Sequence, residues 1–284
     1  MKPPRPAPYT RGLPQHRQRR SGPRPTTASA FGVAGERWIY GRHAVAAALA
    51  NPARRWHHLA VLSGQESEAS TLVAAAAAPR RGEGEPMQVV DRDSLAAMLP
   101  EGAVHQGLAL TVEPLTEPDL ADVLRLAAGT PGRRVIVALD QVTDPRNVGA
   151  VLRSAAAFGA LAVVLAVHGT PPVTGALAKA ASGALEQIPL VRVVNLARAL
   201  DRLKQSGFWI CGLEATAQQT LADLDLGDRV AVVLGSEGGG MRRLVRERCD
   251  HLARLPTRSA QATINVSSAA AIALYELARA RPNH

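Results

Sequence analysis

Val135-Ile-Val-Ala-Leu139 is an unbroken apolar run, and Asp140-Gln-Val-Thr-Asp-Pro-Arg-Asn-Val-Gly-Ala-Val-Leu-Arg153 follows it directly. A continuous run of this kind reads as a strand buried on both faces, the form strands take in a parallel sheet. Asp144-Pro145 is a turn signal, with proline where a helix can start, and the pattern predicts a helix over 147–158. The alternation then continues. Strands are expected at Leu161–Ala166, Leu190–Val194, Trp209–Leu213, Val230–Leu234 and His251–Leu255. Helices are expected near 175–182, 196–205, 241–248 and 266–281. Apolar strands alternating with helices mean an α/β fold with a parallel sheet covered on both faces.

Upstream, Trp38–Val112 carries a smaller α/β pattern. Strands are expected at Trp38–Tyr40, His58–Leu62, Gln88–Val90 and Leu108–Val112, with helices over 41–49, 70–78 and 95–99. Residues 113–133 hold Pro114, Pro118, Gly129, Pro131 and Gly132 and read as a linker enclosing a short helix over 120–128. The first 34 residues are rich in proline and arginine, with no carboxylate before Glu36, and are expected to form a disordered basic tail. The resulting organisation is a tail (1–34), a small domain (36–112), a linker (113–133) and a larger domain (134–284).

The formal net charge is +9 and hydrophobic residues make up 46%, so a polyanionic partner and a sizeable core are both expected. Aromatic residues are only 3%, so that core must be built of Ala, Val and Leu. Cys211 and Cys249 stand far apart in sequence, and no Cys/His cluster has metal-ligand spacing, so neither a disulfide framework nor a metal is expected. No apolar run approaches the ~18 residues of a membrane span. A cytoplasmic location is the default. An Arg-rich, acid-poor start also suits a mitochondrial transit peptide, ranked lower because the prolines break an amphipathic helix.

Two further segments join the first. Val232-Val-Leu-Gly-Ser-Glu-Gly-Gly-Gly-Met241 runs a buried strand into glycines, which let backbone approach a ligand. It is not a dinucleotide fingerprint: after Gly238 and Gly240 the third glycine position holds Arg243. No Gly-Lys-Ser/Thr follows, so it is not a P-loop either. Leu255-Pro-Thr-Arg-Ser-Ala-Gln-Ala-Thr-Ile-Asn-Val-Ser267 ends a strand at a stiffening proline and opens an Ala-rich helix, with Asn265 as its cap. Taken alone, Asn147 would read as a helix cap, Arg153 as a surface residue and the glycines as a tight turn.

In this order the three segments resemble the signature motifs of the SpoU/TrmH family of S-adenosylmethionine-dependent RNA 2′-O-ribose methyltransferases, in the SPOUT superfamily. The resemblance implies a C-terminal trefoil knot and a homodimeric active site. It makes Asn147, Arg153, Glu237, Thr263 and Asn265 the catalytic candidates. Leu234, Gly235, Gly238, Leu255, Pro256 and Ile264 become the candidates for binding S-adenosylmethionine. Ile39-Tyr-Gly-Arg-His-Ala-Val45 and Val104-His-Gln-Gly-Leu108 resemble the family's L30e-like substrate-binding domain, in which His105 and Gln106 either touch RNA or fix a turn. Ala181-Ser-Gly-Ala-Leu-Glu186 resembles a further family stretch, read as small residues for helix packing. The chain departs from the usual pattern at Gly239, where many relatives are acidic, at Ser259-Ala260 in place of Gly and Ser, and at Thr263-Ile264 in place of Ser-Leu.

The implied reaction places a ribose 2′-oxygen in line with the sulfonium methyl, by proximity and orientation. Arg153 suits a phosphate anchor better than a base, because a guanidinium stays protonated in proteins. The separate small domain points to the branch that methylates a guanosine of 23S rRNA. A tRNA guanosine 2′-O-methyltransferase and a non-catalytic RNA-binding or ribosome-assembly protein are the alternatives.

Overall fold

The computed structural model describes residues 38–82, 84–258 and 264–279. The basic tail, Ser259, Ala260 and Thr263 lie outside the described residues.

The first part of the chain forms β1 (Trp38–Tyr40), α1 (Arg42–Ala50), β2 (Trp56–Leu62), α2 (Glu66–Ala74), β3 (Met87–Val90), α3 (Arg92–Ala97) and β4 (Leu108–Val112). Its sheet has the order β1-β4-β2-β3. β4 lies antiparallel to β1 and β2, β3 is parallel to β2, and every residue of β4 is buried. α2 starts and ends four residues earlier than expected. Glu66 and Glu68 favour its first turn. The alanines at its far end are drawn away: Ala78 donates its N–H to Leu49 O at 2.8 Å, and Trp56 Nε1 donates to Ala78 O at 3.0 Å.

The linker stretch contains α4 (Leu120–Gly129), closed at its N-terminus by a reciprocal capping box between Asp119 and Asp122. It is not loose: Leu120, Val123 and Ala127 are buried against the larger sheet. That sheet is built from β5 (Arg134–Leu139), β6 (Ala162–Ala166), β7 (Leu190–Val193), β8 (Trp209–Leu213), β9 (Gln219–Thr220), β10 (Arg229–Leu234) and β11 (His251–Arg254). The strand order is β7-β6-β5-β10-β8-β11-β9, and all pairs are parallel. Helices α5 (Pro145–Ala157), α6 (Gly175–Ala181), α7 (Leu196–Gln205), α8 (Arg243–Arg246) and α9 (Val266–Ala278) complete it.

Alternation along each strand sorts the core in two. Val135, Val137 and Leu139 of β5 pack with α5, α6 and α9, whereas Ile136 and Ala138 pack with α4, α7 and Val245 of α8. Both faces are therefore covered, as the apolar runs required. Each fully buried Leu or Val stabilises by roughly 1.5–3 kcal/mol. The two-residue β9 was not foreseen, being too short for any periodicity to show. α8 is shorter than the expected 241–248. It starts after Arg242, whose N–H is taken by Asp140, and the chain then turns so that Asp250 N meets Ile210 O at 2.8 Å.

Both sheets belong to one compact unit. Their seam is close: a Cβ on Gly175 would lie 2.4 Å from Trp38 O. Arg54 crosses it to Glu186, with Nη2 2.5 Å from Oε1, and these side chains are only 4% and 5% exposed. Asn51 Nδ2 donates to Glu186 Oε2 at 2.7 Å, and Arg54 Nη1 donates to Glu113 O at 2.9 Å. The Ser182–Glu186 stretch therefore does more than let helices pack; its carboxylate ties the sheets together. Among the described residues no helix is long and apolar enough to cross a membrane.

Candidate active site

An all-parallel sheet sends every strand end to one edge, and that edge is where open α/β sheets bind ligands. Here Leu139 runs into Asp140, Leu213 into Glu214, Leu234 into Gly235 and Arg254 into Leu255, side by side.

After β5, the Asp144 side chain accepts the Arg146 N–H at 2.8 Å and caps α5, with Pro145 in its first turn. The cap is thus Asp144 and not Asn147. Asn147 is the third helical residue, and its side chain is left for other partners. After β10, Ser236 and Gly240 close a tight turn through paired backbone hydrogen bonds of 3.1 and 2.9 Å. Gly235 is required there, because a Cβ would lie 2.1 Å from the Gly240 carbonyl carbon. Ahead of α9, Asn265 caps the helix as expected: Oδ1 accepts Ser267 N at 2.8 Å and Ser268 N at 3.4 Å.

These three local structures converge. Asn265 Nδ2 donates to Glu237 Oε1 at 2.6 Å and to Asn147 Oδ1 at 3.1 Å, and Asn147 Nδ2 donates to Glu237 Oε1 at 3.2 Å. One residue from each signature segment meets at a single carboxylate oxygen. Glu237 is exposed, and its Oε2 accepts nothing from the described residues.

Beside this junction opens a cleft of about 750 Å³, within the range of small-molecule sites. Leu234, Gly235, Gly238, Leu255 and Ile264 line it, together with Glu237 and Asn265. Pro256 is exposed and does not line it. Arg153 is exposed on α5, away from the cleft lining, and makes no hydrogen bond or ion pair with a described residue.

Three features escaped the sequence reading. Asp140 is fully buried, and its carboxylate takes Arg242 N and Nε, each at 2.8 Å, and Nη2 at 2.7 Å. This clamp fixes the exit of the glycine turn. Glu214 and Arg246 pair at 2.7 Å in the cleft wall, and that hydrogen bond, with one from Thr216, holds the Glu214 carboxyl below its ordinary range. Leu213 and Met241 add apolar lining. Glu214 was findable, since it directly follows a strand on the ligand edge. Nothing local marks the Asp140–Arg242 pair. Cys211 is buried and Cys249 half-buried, and desolvation pushes both thiols up to about 12, so neither is a poised nucleophile. Among the described residues no group of His, Cys, Asp and Glu could hold a metal ion.

Comparison with known proteins follows the same division of the chain. The SpoU rRNA Methylase family model matches residues 134–275, and the model described as RNA 2′-O ribose methyltransferase substrate binding matches residues 38–118. A protein of Pseudomonas syringae pv. tomato named 23S rRNA (guanosine-2′-O-)-methyltransferase RlmB is 41% identical over 86% of this chain and 95% of its own length. The protein of that name from Pseudomonas aeruginosa is 40% identical over 86% of this chain and 96% of its own.

The chain belongs to the SpoU rRNA methylase family.

A solved SpoU methyltransferase, AviRb from Streptomyces viridochromogenes in complex with AdoMet, is similar in fold. Its TM-score is 0.69 at 20% identity, covering 85% of this chain and 88% of that one. Membership in the SpoU family makes the protein an RNA methylase with an α/β fold built on a parallel sheet.

Proposed function

We propose that the protein transfers the methyl group of S-adenosylmethionine to the ribose 2′-hydroxyl of a guanosine in 23S rRNA. The observation that carries this reading is the junction of Asn147, Glu237 and Asn265 at the rim of the cleft. The names and near-full-length similarity of the two Pseudomonas relatives support the substrate.

The cleft suits the cofactor. The glycine turn, closed tightly because Gly235 has no Cβ, exposes the backbone of Gly238, Gly239 and Gly240, and Leu234, Leu255 and Ile264 offer apolar walls to a nucleoside. When bound, S-adenosylmethionine supplies an electrophilic sulfonium methyl that needs no metal. In this reading Leu234, Gly235, Gly238, Leu255 and Ile264 hold the cofactor, and Pro256, outside the lining, stiffens the loop that follows Leu255. Glu237 orients Asn147 and Asn265, whose amides with the Thr263 hydroxyl position the ribose. Arg153 grips the neighbouring phosphate with its planar fork.

The reading includes a homodimer in which Arg153 serves a partner's cleft. Its support is that Arg153 lies exposed and unpaired among the described residues. Exposed Ile272 and Tyr275 also form an apolar surface on α9, which packs against α5. It includes a C-terminal trefoil knot, supported by β10 lying between β5 and β8 while α9 returns from beyond β8 to pack on α5. It includes an L30e-like small domain that contacts RNA, joined through residues 113–133 to the methylase domain, and a cytoplasmic location with the ribosomal RNA.

The test is a map of 2′-O-methyl groups in large-subunit rRNA from cells with and without the gene. Loss of one methylated guanosine is expected, restored by the wild-type gene and not by Asn147→Ala. An unchanged map overturns the reading.

A further inference from the structure

The seam between the sheets has two edges of opposite character. On one, Arg54 is neutralised by Glu186 inside the protein. On the other, two cations stand without a carboxylate partner among the described residues. Lys179 of α6 lays its stem against Gly41, with Cγ 3.5 Å from where a Cβ would stand, and its ammonium donates to Val104 O. The next residue, His105, is half-buried, and the charged groups bearing on it are Arg92 of α3 and Lys179. Neither Arg92 nor Lys179 forms an ion pair among the described residues; Arg42 of α1, beside the same loop, is paired with Glu68.

The loop is rigidly shaped. Gln106 and Gly107 have φ of 54° and 84°. Arg42 N donates to Gln106 Oε1 at 3.2 Å, and Gly107 N donates to His105 Nδ1 at 3.1 Å. That bond makes Nδ1 an acceptor, so the ring proton sits on Nε2, which meets no described residue. Burial and the two cations hold the imidazole below its ordinary range, which keeps it neutral near pH 7. A neutral N–H donor on a fixed loop, close enough to two cations without ion pairs to feel both charges, is a setting for an anion.

We propose that Arg92, His105 and Lys179 form a phosphate site straddling the seam, which holds the RNA backbone at a fixed distance from the methyl-transfer cleft. The proposal rests on RNA being the substrate and goes further than a substrate-binding domain as a whole. It draws one cation from the methylase part, and it separates charge from hydrogen bonding. Arg92 and Lys179 release counterions; His105 contributes a donor and no charge.

The experiment measures the salt dependence of binding of the full-length protein to a hairpin from large-subunit rRNA, with methylation assayed on the same preparations. Arg92→Gln and Lys179→Met should each flatten the slope of log Kd against log salt by about 0.7–0.9. His105→Ala should weaken binding roughly three- to tenfold with the slope unchanged, and His105→Gln should recover part of that loss. Arg198→Gln, at an exposed position of α7, should leave the slope at its wild-type value. Wild-type slopes in both the Arg92 and Lys179 variants, or an equal loss in Arg198→Gln, overturn the site. A flattened slope in His105→Ala overturns the division of roles. Arg92 is exposed and its side chain makes no hydrogen bond or ion pair with a described residue, so Arg92→Gln remains decisive if the Lys179 variant does not fold. If the wild-type protein fails to methylate the RNA, the proposed function is at fault and not this site.

Discussion

Asp140 and Glu237 follow neighbouring strands on the same edge of the sheet, yet they meet opposite surroundings. Asp140 is fully buried, with both oxygens taken by Arg242. Glu237 is exposed, with one oxygen shared by two side-chain amides and the Val266 N–H and the other accepting nothing from the described residues. A carboxylate sealed by a guanidinium holds structure and has nothing left for a ligand. One that touches only amides can orient them and still respond to what enters the cleft. An acid in a signature segment therefore has no role of its own; its partner decides.

The largest effect that tests this contrast is expected from Arg242→Ala. It strands the Asp140 carboxylate in the interior without its counter-charge, and should cost about 3–5 kcal/mol of stability in urea unfolding. A loss under about 1 kcal/mol would remove the sealed half of the comparison. On the open side, Glu237→Ala should lower methyl transfer about 100-fold through misplaced amides, while stability moves by about 1 kcal/mol. Arg153→Ala should lower turnover similarly, with stability within about 0.5 kcal/mol and cofactor affinity unchanged by calorimetry. Wild-type turnover in either variant would contradict the roles proposed.

Asn265 sharpens the contrast, because one side chain serves both purposes. Asn265→Ala should cost about 1 kcal/mol from the lost α9 cap and should also lose turnover. Asn265→Ser keeps a capping oxygen, adds no charge beside Glu237 and loses the amide donors to Glu237 and Asn147, so stability should be largely retained while turnover falls. Parallel losses in both variants would show that cap and site cannot be separated.

The smallest effect concerns the two thiols, one buried and one half-buried. Cys211 and Cys249, pushed up to about 12 by burial, ionise in the unfolded chain near the free value of about 8.5. The unfolded state therefore loses protons first, and stability should fall as pH rises above that value. Comparing unfolding midpoints at pH 8 and pH 10 checks this: the drop should shrink in a Cys211→Ala/Cys249→Ala variant. Both thiols should also resist alkylation in the folded protein at pH 8.

Much of this was legible beforehand. The apolar runs of β5 and β10 identified a parallel sheet, because strands covered on both faces cannot alternate with polar residues. Asn265 was legible as a cap, since a short amide before an Ala-rich run has few other uses. Other features lay beyond local pattern. The alanines after Ala74 look helical, but Ala78 is claimed by long-range hydrogen bonds, its N–H donating to Leu49 O and its carbonyl accepting from Trp56. Glu186 looked like part of a packing stretch, and its partner Arg54 lies in the other sheet.

By itself, then, the sequence determined the order of the helices and of every strand but β9, the family, and the three segments that carry the site, because periodicity, capping and motif spacing are properties of neighbouring residues. Only the tertiary structure decided which side chains face one another: Asn147 with Glu237 and Asn265, Asp140 with Arg242 across 102 positions, and the unneutralised edge of the seam. Hydrogen bonds and ion pairs form at about 3 Å in space, and no spacing along the chain determines which distant residues a parallel sheet will bring within that reach.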